Sequence, residues 1–201
     1  ALAVCREAAE RNPDHAGMQW LMAEYLLWYV GYDNSQTGIT YQEFLKNPEY
    51  TQPIEQSIKK SLALRPENRE RRAEAANYYF NKGDFKTAWE HYSQLTDYVP
   101  VKFRQPAGEH EWWKCIAMSA VRVDQWDQAY AFACKGLAMN PCAPCRERLT
   151  VAFAGGLEHR KQFDEALENF ELLAQMSQIY RGWALKEYAT IVLENRPALM
   201  A

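Results

Sequence analysis

The stretch from Ala76 to Pro100 reads ANYYFNKGDFKTAWEHYSQLTDYVP, and it decides the fold of this chain. Two alanines in it, Ala76 and Ala88, stand twelve residues apart, and Pro100 follows after another twelve. Gly83 and Asp84 lie between the alanines and are typical of a turn between two helices. The spacing therefore predicts a hairpin of two helices that touch where their side chains are smallest, with a proline at the end of the second helix.

The twelve-residue interval recurs along the chain. It separates the members of these further sets: Ala1 and Pro13; Ile54 and Pro66; Ala117, Ala129 and Pro141; Ala154 and Ala166. In the three clearest units an aromatic residue stands three positions before the second alanine, where its ring can close the end of the hairpin: Phe85, Trp126 and Phe163. A fixed interval that recurs in one chain indicates one structural unit used repeatedly.

These residues resemble the tetratricopeptide repeat family, whose units are helix-turn-helix hairpins of about 34 residues. The match is best over 76–100, extends to 113–141, and continues over 153–173 without the closing proline. The resemblance implies an all-α fold, an α-solenoid of stacked hairpins in a right-handed superhelix. It also implies that the first helix of each hairpin lines a concave groove.

The expected organisation is a single domain over 1–201. Its segments in chain order are the second helix of a partial repeat (1–13), a repeat with an insertion at 32–50 (14–68), three further repeats (69–102, 103–143 and 144–178) and a C-terminal capping helix (179–201). Because the chain begins in the middle of a repeat, without an initiator Met or a signal peptide, we expect it to be a fragment.

The insertion contains a local helix signal. Thr40 and Glu43 have the spacing of a capping box, and Asn47 followed by Pro48 predicts the end of a short helix. Two interpretations stay open for this segment: a lid over one end of the solenoid, or a segment that docks a partner.

Composition excludes several classes of protein. A hydrophobic content of 48% with seven Trp and twelve Tyr is typical of a globular chain rather than a disordered one. A net charge of −3 gives no basic surface for nucleic acid. The longest apolar run, residues 20–32, is too short to cross a bilayer, so no membrane span is expected.

The resemblance also implies which side chains would meet a partner in the groove. They are Trp20, Glu24, Trp28, Asn77, Phe80, Lys114, Met118, Arg122 and Arg148. An equally good interpretation of Trp20 and Trp28 is that they pack beneath the insertion. The clamp that binds terminal carboxylates in chaperone-tail receptors of this family is not expected, because Ala73 and Cys115 stand where its lysine and second asparagine would be.

The sequence contains five cysteines, and two of them have a spacing that is found in functional sites. Cys142 and Cys145 enclose Ala-Pro in a turn between repeats, a spacing seen in redox and metal sites. As half of a zinc site the pair needs two more ligands. Three interpretations stay open: reduced or incidental thiols, a local disulfide that closes the turn, and a metal or redox function. We predict no cofactor and no bound metal. If a metal were bound, Cys142 and Cys145 would be the candidate ligands. The odd number of cysteines favours a reducing, cytoplasmic compartment.

No catalytic arrangement is predicted, and the four histidines are scattered: His15, His91, His110 and His159. Glu109 and Glu111 flank His110 at a predicted helix start, where the helix dipole favours acidic residues. We therefore predict a non-catalytic scaffold that binds a peptide or protein in the concave groove, within a larger assembly. The alternative is an accessory repeat region of a larger enzyme whose catalytic domain lies outside this segment.

Overall fold

The computed structural model describes residues 2–27, 38–105 and 108–199, and the regular structure within them is entirely helical. The predicted all-α class is therefore confirmed for these residues. The chain divides into two compact units, residues 1–98 and 99–201. None of the helices in the described ranges is long and apolar enough to cross a membrane.

The first unit contains six of the described helices: α1 (Leu2–Arg11), α2 (Ala16–Tyr25), α3 (Tyr41–Lys46), α4 (Pro48–Leu64), α5 (Arg69–Lys82) and α6 (Phe85–Tyr92). Helix α2 packs against α1 and α4, while α5 pairs with α6. Buried Ile54 and Ile58 on one face of α4 supply part of the core that these contacts enclose.

The short helix predicted in the insertion is α3. The Thr40 hydroxyl accepts a hydrogen bond from the Glu43 amide at 3.3 Å, and Glu43 accepts one from the Thr40 amide at 2.7 Å, which completes the capping box. Phe44 is fully buried and its ring stacks on Tyr50 with centroids 5.4 Å apart. Helix α3 packs on α4 and α5, so this part of the insertion has an apolar seat; residues 32–37 lie outside the described residues.

The second unit begins with a short 3₁₀ turn (Val101–Phe103) and continues with five described helices: α7 (Glu109–Arg122), α8 (Trp126–Leu137), α9 (Ala143–His159), α10 (Phe163–Met176) and α11 (Arg181–Leu199). Each helix from α7 to α11 packs against the next one, and α7 also contacts α9. Helix α11 covers the apolar side of α10, because its Ala184 and Ile191 are buried in a cluster with Phe170 and Leu173.

The turns inside the three predicted hairpins have the same backbone geometry. In each, one residue adopts a left-handed conformation two positions before the aromatic residue: Gly83 (φ 85°), Asp124 (φ 58°) and Lys161 (φ 61°). The next amide donates to a carbonyl five residues earlier at 2.9 Å in all three turns: Asp84 to Tyr79, Gln125 to Ala120, and Gln162 to Leu157. This pattern is the Schellman motif, which ends a helix and reverses the chain.

Small residues lie at the helix contacts, as the spacing predicts. The six alanines of the three hairpins are completely buried: Ala76, Ala88, Ala117, Ala129, Ala154 and Ala166. Gly155 and Gly156 are likewise small residues at a helix contact, the one between α8 and α9. A Cβ at Gly155 would lie 2.4 Å from Cζ3 of Trp126, and one at Gly156 would lie 2.5 Å from the Cβ of Tyr130. Ala1 lies outside the described residues.

One helix end differs from the prediction. Helix α6 ends at Tyr92, eight residues before Pro100, whereas the pattern placed that proline at the helix end. After Tyr92 the amides bond to carbonyls three residues back, as in Leu95 to Tyr92 at 2.8 Å, and Leu95 is fully buried. Asp97 then forms an ion pair with Arg69 at the start of α5. These contacts hold the segment as a series of turns against α5.

Candidate functional site

The predicted groove residues of the first unit have different surroundings. Trp20 is buried, with the Arg71 guanidinium 5.9 Å from its ring centroid, while Glu24 is exposed. The Asn77 side-chain oxygen accepts a hydrogen bond from the Tyr92 hydroxyl at 2.8 Å, so it already serves the contact between α5 and α6. Phe80 is half-buried, edge-on to Phe85. Trp28 lies outside the described residues.

In the second unit the predicted residues divide between interior and surface. Lys114 and Met118 on α7 are buried, whereas Arg122 at the end of α7 and Arg148 on α9 are exposed. Lys114 forms an ion pair with Glu111 one turn earlier. In this conformation a partner can reach the two arginines but not the lysine or the methionine.

A cluster of chemically active side chains lies where the first turns of α7 and α9 meet. His110 is in the first turn of α7, Cys142 is the N-cap of α9, and Cys145 is in the first turn of α9. One donor atom from each of these three residues lies within 4.8 Å of the other two. We call His110, Cys142 and Cys145 the His–Cys cluster. His110 and Cys145 are buried, and Cys142 is exposed, so the cluster is open to solvent on one side only.

Glu111 adjoins the His–Cys cluster and connects it to α7. Its Oε2 accepts a hydrogen bond from the Cys145 thiol at 2.9 Å, and its Oε1 accepts from Lys114 and, at 3.9 Å, from the Cys115 thiol. Burial opposes ionisation of this carboxyl, but the hydrogen bonds from Cys145 and Lys114 outweigh it and hold the Glu111 pKa below its usual value. Burial and the bond to Glu111 raise the pKa of the Cys145 thiol well above its ordinary range.

Glu109 and Glu111 lie in the first turn of α7, as the sequence predicts, and both make specific side-chain contacts there. The N-cap of α7 is Gly108, and α7 has no side-chain capping bond. The Glu109 carboxylate instead accepts from the Trp113 indole N–H at 3.4 Å, and Glu111 bonds a thiol and an ammonium group. The placement of His110 beside the two cysteines was missed altogether, because no sequence spacing links residues more than thirty positions apart.

The cysteine pair itself is reduced in this structure. None of the five cysteines forms a disulfide in this structure, so the local disulfide considered for residues 142 and 145 is not formed. Cys142 precedes Pro144, and the proline occupies the first turn of α9, where its missing N–H costs no hydrogen bond. The sequence Cys-Ala-Pro-Cys therefore begins a helix and places its two sulfurs around the same helix N-terminus.

Comparison with the models of known protein families gave no match, and a search of curated proteins also found no similar sequence.

Proposed function

We propose that this chain is a non-catalytic interaction scaffold of the tetratricopeptide type. In this proposal it binds a peptide or protein along the first helices of its hairpins. The observation that carries the proposal is the repetition of one hairpin. Three pairs of helices share a left-handed turn residue, a 2.9 Å Schellman hydrogen bond and a fully buried alanine on each helix. Such repeats typically present an extended surface rather than a single deep pocket.

The accessible charges of the second unit suggest the chemistry of the partner. Arg148 on α9 and Arg122 on α7 are exposed on the first helices of consecutive hairpins. A guanidinium presents its donors in a fixed fork that fits a carboxylate, so these side chains favour a segment containing Asp or Glu. Because the chain as a whole carries a net charge of −3, the attraction of an acidic segment would come from these two arginines and not from the net charge of the protein.

Site-specific photocrosslinking tests which face binds. A photoreactive amino acid is placed at position 122 or 148 on the first helices, and at the exposed positions Gln128 on α8 or Glu168 on α10 as matched controls. We expect adducts in cells of the source organism from positions 122 and 148 but not from the two control positions. Mass spectrometry of the adducts identifies the partner.

The identified partner is then purified and its affinity is measured by calorimetry. Arg148→Glu should weaken binding at least about tenfold, which corresponds to roughly 1.4 kcal/mol. Glu168→Arg changes the charge of α10 by the same amount in the opposite direction and should leave the affinity unchanged. Equal crosslinking from both sets of positions, or an affinity insensitive to Arg148→Glu, contradicts binding along the first helices.

A further inference from the structure

We propose that His110, Cys142 and Cys145 form a zinc-binding site, with the Glu111 carboxylate, which accepts a hydrogen bond from the Cys145 thiol, as the candidate for the fourth coordination position. The site adjoins Arg148 of the partner-binding surface, whose charge helps to lower the Glu111 pKa, but metal binding can be tested without a partner.

The three donor atoms of the His–Cys cluster are close enough to share one metal ion. The three donor atoms already lie within 4.8 Å of one another. In a tetrahedral zinc site, with Zn–S of about 2.3 Å and Zn–N of about 2.0 Å, ligand atoms are separated by roughly 3.5–3.8 Å. The donors therefore need to approach by at most about 1 Å, which is on the scale of a side-chain rotation.

The imidazole of His110 carries a buried nitrogen for which the described part of the chain supplies no hydrogen bond. His110 is 7% exposed, and its Nδ1 makes no hydrogen bond to any other described residue. A buried polar atom without a partner costs about 1–3 kcal/mol. Coordination of a metal ion by the His110 imidazole, together with the two neighbouring sulfurs, would explain why the histidine is buried at this position.

The negative charges of the ligands offset the charge of a zinc ion at this site. Zinc displaces the protons of Cys142 and Cys145, so two thiolates neutralise the two charges of the metal, and the protons pass to solvent. If Glu111 completes the tetrahedron, its negative charge is balanced by Lys114, with which it is already paired. Helix N-termini also favour negative charge, and both sulfurs surround the N-terminus of α9. The occupied site is thus close to neutral, so its partial burial costs little.

The donor types of the His–Cys cluster suit zinc better than calcium or magnesium. Two thiolates with an imidazole are characteristic of zinc, whereas calcium and magnesium prefer oxygen ligands. Glu111 Oε2 is 2.9 Å from the Cys145 sulfur, so the carboxylate adjoins the metal position whether it binds zinc directly or orients a bound water. The site would join the first turn of α7 to the first turn of α9 and so stabilise the packing of two hairpins.

The test is a titration of the reduced, metal-free protein with Co²⁺, followed by displacement with Zn²⁺. We expect one equivalent of cobalt to give the visible absorption of a tetrahedral site and the near-ultraviolet charge-transfer band of thiolate ligation. Zinc should then remove both signals. Cys142→Ser should abolish them while the fold is retained, because this side chain is exposed and serine is a favoured N-cap residue.

Further variants separate a metal site from a general effect on the thiols. Cys145→Ser should also abolish the signals, and Glu111→Gln should weaken zinc binding about 10–100-fold. Cys134→Ser, a partly buried thiol on α8, is the matched control and should bind with unchanged stoichiometry. Zinc should also raise the unfolding temperature of the wild-type protein but not that of Cys142→Ser.

Three outcomes overturn the proposal. The reduced wild-type protein binds no cobalt or zinc at one equivalent; it binds them equally well after Cys142→Ser; or the bound cobalt shows no thiolate charge transfer. A protein that is isolated with a Cys142–Cys145 disulfide, and that binds no metal once the bond is reduced, falls under the first outcome and assigns the pair to disulfide formation instead. None of these results bears on crosslinking at positions 122 and 148, so the two proposals fail independently.

Discussion

Gly156 lies where α9 packs closely against α8, so it is sensitive to a single added methyl group. A Cβ there would lie 2.5 Å from the Tyr130 Cβ and 3.2 Å from the Trp126 carbonyl oxygen. Because one of these neighbours is backbone, relief requires the helices to separate. We expect Gly156→Ala to lower the free energy of unfolding by about 1–3 kcal/mol, measured by urea denaturation.

Gly182 on α11 provides the control for that experiment. A Cβ at this position meets no atom within 4 Å, so Gly182→Ala should be neutral or slightly stabilising, because alanine is the better helix former. Equal loss of stability in both variants would contradict the explanation that Gly156 is needed for the close approach of α8 and α9.

His91 predicts a dependence of stability on pH. Burial, and to a smaller extent the charge of Arg72, lower the His91 pKa from 6.5 to about 4. Its ring stacks on Tyr79 with centroids 5.7 Å apart. Between these two pKa values the unfolded chain takes up a proton that the folded chain does not, so His91 destabilises the fold increasingly as the pH falls from 6.5 towards 4.

Replacement of His91 with phenylalanine keeps an aromatic ring against Tyr79 and removes the titrating group. We expect the His91→Phe variant to lose less stability than the wild-type protein between pH 6.5 and 4, as measured by urea denaturation at several pH values. Identical slopes for the two proteins would show that His91 becomes protonated in the folded state without cost.

The burial and the neighbours of individual side chains could be predicted only in part from the sequence. The buried alanines could be predicted because their twelve-residue spacing is local to each hairpin. The burial of Lys114 could not, because it depends on a side-chain ion pair with Glu111 inside a packed interface. His110 was equally unpredictable as a neighbour of Cys142, because their contact depends on the packing of α7 against α9.

At the scale of the helices, the left-handed turn residues offer a further prediction. Lys161 has a φ of 61°, a conformation that costs a residue with a side chain roughly 1–2 kcal/mol. Glycine avoids this strain but loses more chain entropy on folding. We expect Lys161→Gly to raise the free energy of unfolding by about 0.5–1 kcal/mol, measured by thermal and urea denaturation.

The converse substitution is Gly83→Ala in the equivalent turn between α5 and α6. A Cβ there meets no atom within 4 Å, so its expected cost of about 1 kcal/mol comes from the backbone conformation alone. If Lys161→Gly destabilises the chain while Gly83→Ala does not, the two turns are not equivalent, and the repeated hairpin loses its structural support.

The helices were well predicted where their signals are local. Thr40 and Glu43 specify the start of α3 by side-chain to backbone hydrogen bonds, and the Asn47 side chain caps the start of α4 directly after the end of α3. The end of α6 was not predicted, because the competing turns after Tyr92 depend on the burial of Leu95 and on the ion pair between Asp97 and Arg69. Contacts outside the helix decide that boundary.

At the scale of the whole molecule, the second unit should fold by itself. Its apolar cluster is built from α9, α10 and α11, and α7 and α8 pack in sequence onto α9. We expect a protein of residues 99–201 to be helical by circular dichroism and to unfold in one cooperative transition on heating. A fragment with helical signal but no cooperative transition would contradict the independence of this core.

The amino-acid sequence by itself determined the helical hairpins, because alanine spacing, turn residues and capping side chains act over distances of a few positions. The tertiary structure alone decided which charged side chains reach solvent and which distant groups meet. Arg148 is exposed while Lys114 is buried, and His110 lies beside Cys142 and Cys145, only because α7 and α9 pack with their first turns together. Contacts between separate helices depend on how whole faces fit, and no short stretch of sequence contains that information.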